Sequence, residues 1–256
     1  MQGYEKQLAE VELHLRFKSY NTKMEVALSR DCFSEVTPKQ HRNNFIGKVY
    51  SILALQLTIT SVVCGLVVTI EELKHAILKS YPIMYSALGV SLVVLVTLVC
   101  VPAAAKKFPT NYTLLGIFTV LEAYVLGYLC ASSNSKVVLV AFLMTLGVSV
   151  SLTIYAFKTK KDFSTKQAML CALGTALVVC GVFLVVFGEL WARLLYCFLG
   201  VLVFSVFIIY DTQLMAGGRH SQLTYEDYIV GALVLYIDVV GLFVYLLSLV
   251  GTGRQS

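Results

Sequence analysis

Three observations predict an all-α, polytopic membrane protein with seven transmembrane helices. Of the 256 residues, 58% are hydrophobic and 14% charged, with a mean hydropathy of +0.79; soluble domains carry about 25% charged residues. The apolar residues gather into seven stretches, each close to the roughly 20 residues that cross a bilayer as a helix. Three acids, Glu122, Asp211 and Asp238, stand inside those stretches. A carboxyl in hydrocarbon is costly, which marks it as a working residue.

Residues 1–44 are polar and charged, without an apolar core, and read as a cytosolic tail rather than a signal peptide. Val11–Lys18 alternates like a strand but has no partner strand, so it is assigned to a weakly ordered tail. Residues 45–256 are predicted to form the bundle. Its first span, 46–69, doubles as the insertion signal. The second, 82–102, is followed by Lys106 and Lys107. The third, 112–131, holds Glu122 near its middle, and the fourth is 137–157. Only Gly188 and Glu189 part the fifth span, 168–187, from the sixth, 190–216; the two together are far too long for one helix. Gly174, Gly181 and Gly188 recur every seven residues, near one face, and permit close helix packing. Gly217-Gly218 is a stop signal for the sixth span. Thr224–Asp227 resembles a capping box opening the seventh, 227–250. The connections are too short for a second domain.

The net charge of +5 is no nucleic-acid signature, because the basic residues lie between spans and form no patch. The seven cysteines include no CxxC pair and no zinc spacing, and six lie in or at the ends of spans. They read as small apolar packing residues. With a cytosolic N-terminus, fifteen Lys and Arg face the cytosol and five face the other side. That asymmetry orients the chain N-terminus in and, with seven spans, C-terminus out. The sequon at Asn111–Thr113 then lies on the cytosolic side and is expected to stay unmodified.

At 1.5 Å per residue, Asp211 lies roughly 8 Å from its helix end and Asp238 roughly 17 Å from its own. Contact between them requires a tilt, or a seventh helix that starts outside the membrane. Two touching carboxylates in low dielectric cannot both be charged cheaply, so such a pair shares a proton near neutral pH and titrates as a unit. Losing that proton breaks a bond between two helices, which makes a pH-operated latch. Glu122 reads either as a protonated acid bonded within the bundle or as a proton or cation station. Lys106 and Lys107 could reach a carboxylate on the cytosolic side, or form a solvated interfacial pair. Arg193 reads as an anchor at the opposite interface. Tyr210 and Tyr236, close before the aspartates, are candidate hydrogen-bond neighbours.

Five segments then carry a resemblance: Lys48–Leu57, Phe118–Glu122, Ala156–Phe163, Tyr210–Leu214, and Glu226–Asp238 with Leu242-Phe243. Together they resemble the transmembrane Bax-inhibitor-motif family, specifically its lifeguard branch. The resemblance implies a bundle whose last helix is central and wrapped by the other six. It implies a calcium leak gated by a di-aspartyl proton switch, onto which Asp211 and Asp238 map. Where the family can place an arginine to clasp that switch, this chain has Lys106 and Lys107, and lysine is a poorer bidentate partner. The short tail is similar to that of the Golgi-resident member, which suppresses apoptosis by lowering stored calcium.

The first functional expectation is therefore a pH-sensitive, calcium-permeable leak of Golgi or endoplasmic reticulum membrane. No cofactor and no tightly bound metal are expected; calcium and protons act as permeant or regulatory ions. Expected partners are the lipid bilayer, calcium ions, and apoptosis regulators or calcium-release channels, with no nucleic acid and the oligomeric state open. The alternatives are a proton-coupled secondary transporter, for which no repeat or paired helix break is visible, and a non-conducting membrane regulator of apoptosis or stress proteins. A retinal protein is excluded by the lack of lysine in the seventh span. An enzyme is not expected, because no nucleophile–base motif or metal cluster accompanies the acids.

Overall fold

The computed structural model describes residues 40–159, 167–187, 189–217 and 227–252. All nine regular elements among them are α-helices: α1 (Gln40–Thr69), α2 (Glu71–Lys79), α3 (Tyr81–Cys100), α4 (Pro102–Lys106), α5 (Thr110–Ala131), α6 (Ser135–Lys158), α7 (Gln167–Phe187), α8 (Leu190–Ala216) and α9 (Tyr228–Thr252). Six of them are long and apolar enough to cross a membrane, and α7 supplies a shorter apolar stretch, Ala168–Leu184. Large apolar side chains such as Leu55, Tyr85, Val93, Leu143, Val178 and Trp191 are exposed along these helices. Water would not tolerate so continuous an apolar surface; hydrocarbon would.

The boundaries follow local chemistry. α1 begins six residues before the apolar run, because polar residues from Gln40 onward already take helical form. Two short helices were not expected. α2 is amphipathic, with Glu71 and Glu72 in its first turn and Lys79 in its last, complementing the helix dipole. Its Ile77 packs with Val67 and Ala131. α3 stops at Cys100, two residues short of the predicted end, because Val101 is extended ahead of Pro102, which then opens α4. The Asn134 side chain caps α6 by accepting from the Lys136 backbone N–H at 3.0 Å. Gly217 ends α8 in the left-handed region, φ 95°, a conformation a side chain would disfavour. Gly218 and the Thr224–Glu226 part of the capping signal lie outside the described residues.

Two apolar cores stack along the bundle. One gathers Phe45, Val49, Leu53, Leu98, Leu115, Phe118, Met215 and the first half of α9, Ile229 to Tyr236. The other gathers Cys130, Val137, Val138, Ala141, Ile208 and the second half of α9, Leu242 to Leu247. α9 therefore runs through both cores, with α8 and α6 packed along it, α1 against its first half, and lighter contact from α5 and α4. α5 is as deeply embedded, with ten buried residues against ten in α9. The expectation that the other six helices wrap α9 is met in part: α7 packs mainly on α8. Gly174 lies against the Phe207 ring and Gly181 against Tyr196, both on α8, which accounts for the glycine spacing. Gly188 is not among the described residues.

The α8–α9 seam is closer still. A Cβ on Gly200 would collide with the Tyr245 ring, and one on Gly241 with the Phe204 ring. A Cβ on Gly231 would come within 2.8 Å of Met215 Sδ. These contacts fix one antiparallel register along the pair. With Gly231 level with Met215, the first turn of α9 overhangs the end of α8.

Candidate functional site

That register brings the two aspartates together. Asp211 and Asp238 are 5% and 4% exposed, and the two side chains are close enough to interact. Asp238 Oδ2 is buried with no further partner. The overhang removes about 3 Å of the depth mismatch from residue counting; the register then puts Asp211 level with Leu235, one turn from Asp238, a gap of about 4.5 Å that the two side chains span. Two carboxyls can bond only while one keeps its proton.

The residues after Asp211 hold it in place. Thr212 is fully buried, and its Oγ1 lies 3.4 Å from the Tyr50 hydroxyl on α1. Gln213 Nε2 reaches the Ala156 carbonyl on α6 at 3.5 Å. The run Asp211-Thr212-Gln213 thus presents polar groups to α9, α1 and α6 in turn. Buried Thr212 and Gln213 were not singled out from the sequence; their signal was a polar triplet inside an apolar helix.

Lys106 Nζ pairs with Asp227 Oδ1 at 3.2 Å, tying α4 to the start of α9. Lys106 is 39% exposed, so the pair is worth about 1 kcal/mol at most. Lys107 is exposed. Arg193 is exposed near the start of α8. Asn111 is 1% exposed, so a glycan on its side chain would not fit this fold.

Glu122 is half-buried on α5 and accepts from Ser91 Oγ of α3 at 2.8 Å. Tyr236 does not bond the aspartates; its hydroxyl lies 2.8 Å from Thr60 Oγ1 on α1. Tyr236 is fully buried, edge-on to Phe118, and close enough to Glu122 to feel its charge. One turn earlier on α1, Gln56 Nε2 donates to Thr119 Oγ1 of α5 at 2.9 Å. The Ser91–Glu122, Gln56–Thr119 and Thr60–Tyr236 bonds thus join α3 to α5, α5 to α1 and α1 to α9. Gln56, Thr60 and Thr119 were missed in the sequence, although a glutamine inside a span was itself a signal.

Beside this cluster a groove of about 780 Å³ runs between α1 and α6, floored by Val239, Val240 and Phe243 of α9. Thr60 and Cys64 line it. Cys64 packs against the core that contains Cys130. Cys130 and Cys197 are buried packing residues as expected, while Cys100, Cys171 and Cys180 lie on the exposed surface.

A set of long apolar helices with a facing carboxyl pair buried between the last two defines a multi-pass α-helical membrane protein with an ionisable core. The chain belongs to the family described as "Inhibitor of apoptosis-promoting Bax1", which matches residues 42–255. It is 36% identical over 215 residues to "Protein lifeguard 3" of Mus musculus, covering 82% of this chain and 70% of that protein. The human "Protein lifeguard 3" is 35% identical, with coverages of 82% and 69%. "Protein LIFEGUARD 3" of Arabidopsis thaliana is 33% identical, with coverages of 82% and 87%. The lifeguard resemblance read from the sequence motifs is thereby established.

Proposed function

We propose that this chain is a pH-sensitive, calcium-permeable leak of intracellular membranes, which lowers stored calcium and so suppresses apoptosis. The observation that carries the reading is the buried Asp211–Asp238 contact between α8 and α9. With one shared proton, the pair bonds the two helices. Without it, two negative charges face each other in low dielectric and repel. Protonation thus favours the closed seam, and deprotonation favours opening. The polar cluster around Glu122 supports a path deeper in the bundle. The leak is non-enzymatic. The membrane is that of the Golgi, with the endoplasmic reticulum as the alternative. Apoptosis regulators or calcium-release channels are the proposed protein partners. The Lys106–Asp227 pair adds a weak clasp at the cytosolic end of α9.

The test is calcium flux from the purified full-length protein in liposomes, measured against pH. Flux that rises as pH is raised supports the leak; no flux at any pH sinks it, leaving a non-conducting regulator. Within the same assay, Glu122→Gln is expected to reduce flux severalfold with near-normal expression. The amide keeps size and hydrogen-bonding capacity and removes the charge. Unchanged flux would return Glu122 to a purely structural role.

With α7 counted as a span, the proposed topology has seven crossings, N-terminus cytosolic and C-terminus on the far side, around a central α9. A tag at the N-terminus should be digested by protease added to sealed vesicles, and one at the C-terminus protected. The opposite pattern, or digestion of both tags, would refute this orientation.

A further inference from the structure

The polar groups near Glu122 link into a chain across three helices. Gln56 bonds Thr119; Thr119 and Glu122 share one face of α5, three residues apart. Thr60 stands one turn from Gln56 on α1 and bonds Tyr236 of α9, which is within range of the Glu122 charge. The proton positions in this chain follow from the bonds. Thr119 Oγ1 donates to the Leu115 carbonyl at 2.8 Å, so its oxygen can only accept, and the Gln56 amide must turn Nε2 toward it. Thr60 Oγ1 donates to the Gln56 carbonyl of the main chain at 2.9 Å, so Tyr236 must donate to Thr60. Two oxygens are left with lone pairs and no donor: Tyr236 Oη and Gln56 Oε1.

Gln56 is 3% exposed, and its Oε1 is buried with no partner. An amide flip cannot cure this, because Thr119 has no hydrogen left to give. Leaving such a carbonyl unsatisfied costs about 1–3 kcal/mol. Leucine would fill the same volume without that cost. A cation offers what every protein donor here fails to offer. Among the described residues no three His, Cys, Asp or Glu side chains gather, so a cation at this depth needs neutral oxygens alongside a single carboxylate. Calcium accepts such mixed sets, amide carbonyls included, and completes its shell with water.

We propose that Gln56 Oε1, together with the Glu122 carboxylate and Tyr236 Oη, forms a mid-bundle binding site for a calcium-class divalent cation. It rests on the reading of Glu122 as an ion station and names the other ligands. One carboxylate against a doubly charged ion makes the site weak, as a site that must also release its ion should be.

The experiment is a terbium titration of the purified full-length protein in detergent, following tyrosine-sensitised terbium luminescence and its displacement by calcium. Wild type should give a saturable signal that calcium displaces. Gln56→Leu and Glu122→Gln should each weaken it about ten- to hundredfold, while Glu72→Gln, on exposed α2, should leave it unchanged. Gln56→Glu adds a charged oxygen and should tighten binding, a gain that misfolding cannot imitate. The proposal is overturned if wild type gives no saturable signal, if Gln56→Leu binds like wild type, or if Gln56→Glu fails to tighten binding. Binding without calcium flux in liposomes would instead overturn the leak and leave the site standing.

Discussion

In liposomes, Asp211→Asn and Asp238→Asn should each abolish most of the rise in calcium flux with pH. The sign follows from the shared proton. At low pH the pair keeps it and α8 stays bonded to α9; as pH rises the proton leaves and the seam opens. An asparagine in either position is neutral at every pH and still donates to the remaining carboxyl. Each single variant is thus expected to keep flux low across the range. The double variant should add far less than the sum of the two singles, because both act on one bonded unit. If one variant only moves the midpoint, each pH unit of movement corresponds to about 1.4 kcal/mol between the bonded and separated states. Wild-type pH curves in both single variants would end the latch reading.

Gly241→Ala is expected to be a damaging change in the seam despite its small size. The added Cβ would overlap three atoms of the Phe204 ring, and overpacking of this kind costs about 1–3 kcal/mol. At roughly 2–4 °C per kcal/mol for a chain of this size, the unfolding temperature in detergent should fall by several degrees. Gly147→Ala is the control. Nothing lies within 4 Å of a Cβ there, so alanine should be neutral or slightly stabilising through its helix propensity. Equal unfolding temperatures for the two variants would mean that α8 and α9 do not approach as closely as described. Because the same seam sets the Asp211–Asp238 contact, Gly241→Ala should also shift the pH dependence of flux.

The long spans were legible in the sequence because hydropathy alone drives them into the bilayer, and most boundaries agree within two residues. The exceptions are places where hydropathy carries no signal. The start of α1 is polar yet helical. α2 is amphipathic, and its Leu73–Ile77 spacing was visible only as a loop between two apolar runs. The meeting of Asp211 with Asp238 could not be counted out, since it depends on the register of α9 against α8, set by Met215 seating against Gly231, and on the reach of the two side chains across one turn. Tyr236 looked like a neighbour of Asp238 in sequence. On a helix, residues two apart point in different directions, and its hydroxyl goes to Thr60 instead. The Ser91–Glu122, Gln56–Thr119 and Thr60–Tyr236 bonds join four helices, and no single-chain pattern announces that.

The unequal lengths of the helices bear on which membranes suit the protein. α3 has 20 residues and α5 has 22, or about 30 and 33 Å of rise, whereas α1, with 30 residues, measures about 45 Å. A long helix meets a thin bilayer by tilting, but a short one cannot stretch to fill a thick one. α3 therefore sets the upper limit. A hydrocarbon layer of about 30 Å suits it, while one of about 32–33 Å would have to thin around it, at a fraction of a kcal/mol per Å. Membrane thickness thereby becomes a sorting force on the whole molecule, exerted through its shortest crossing.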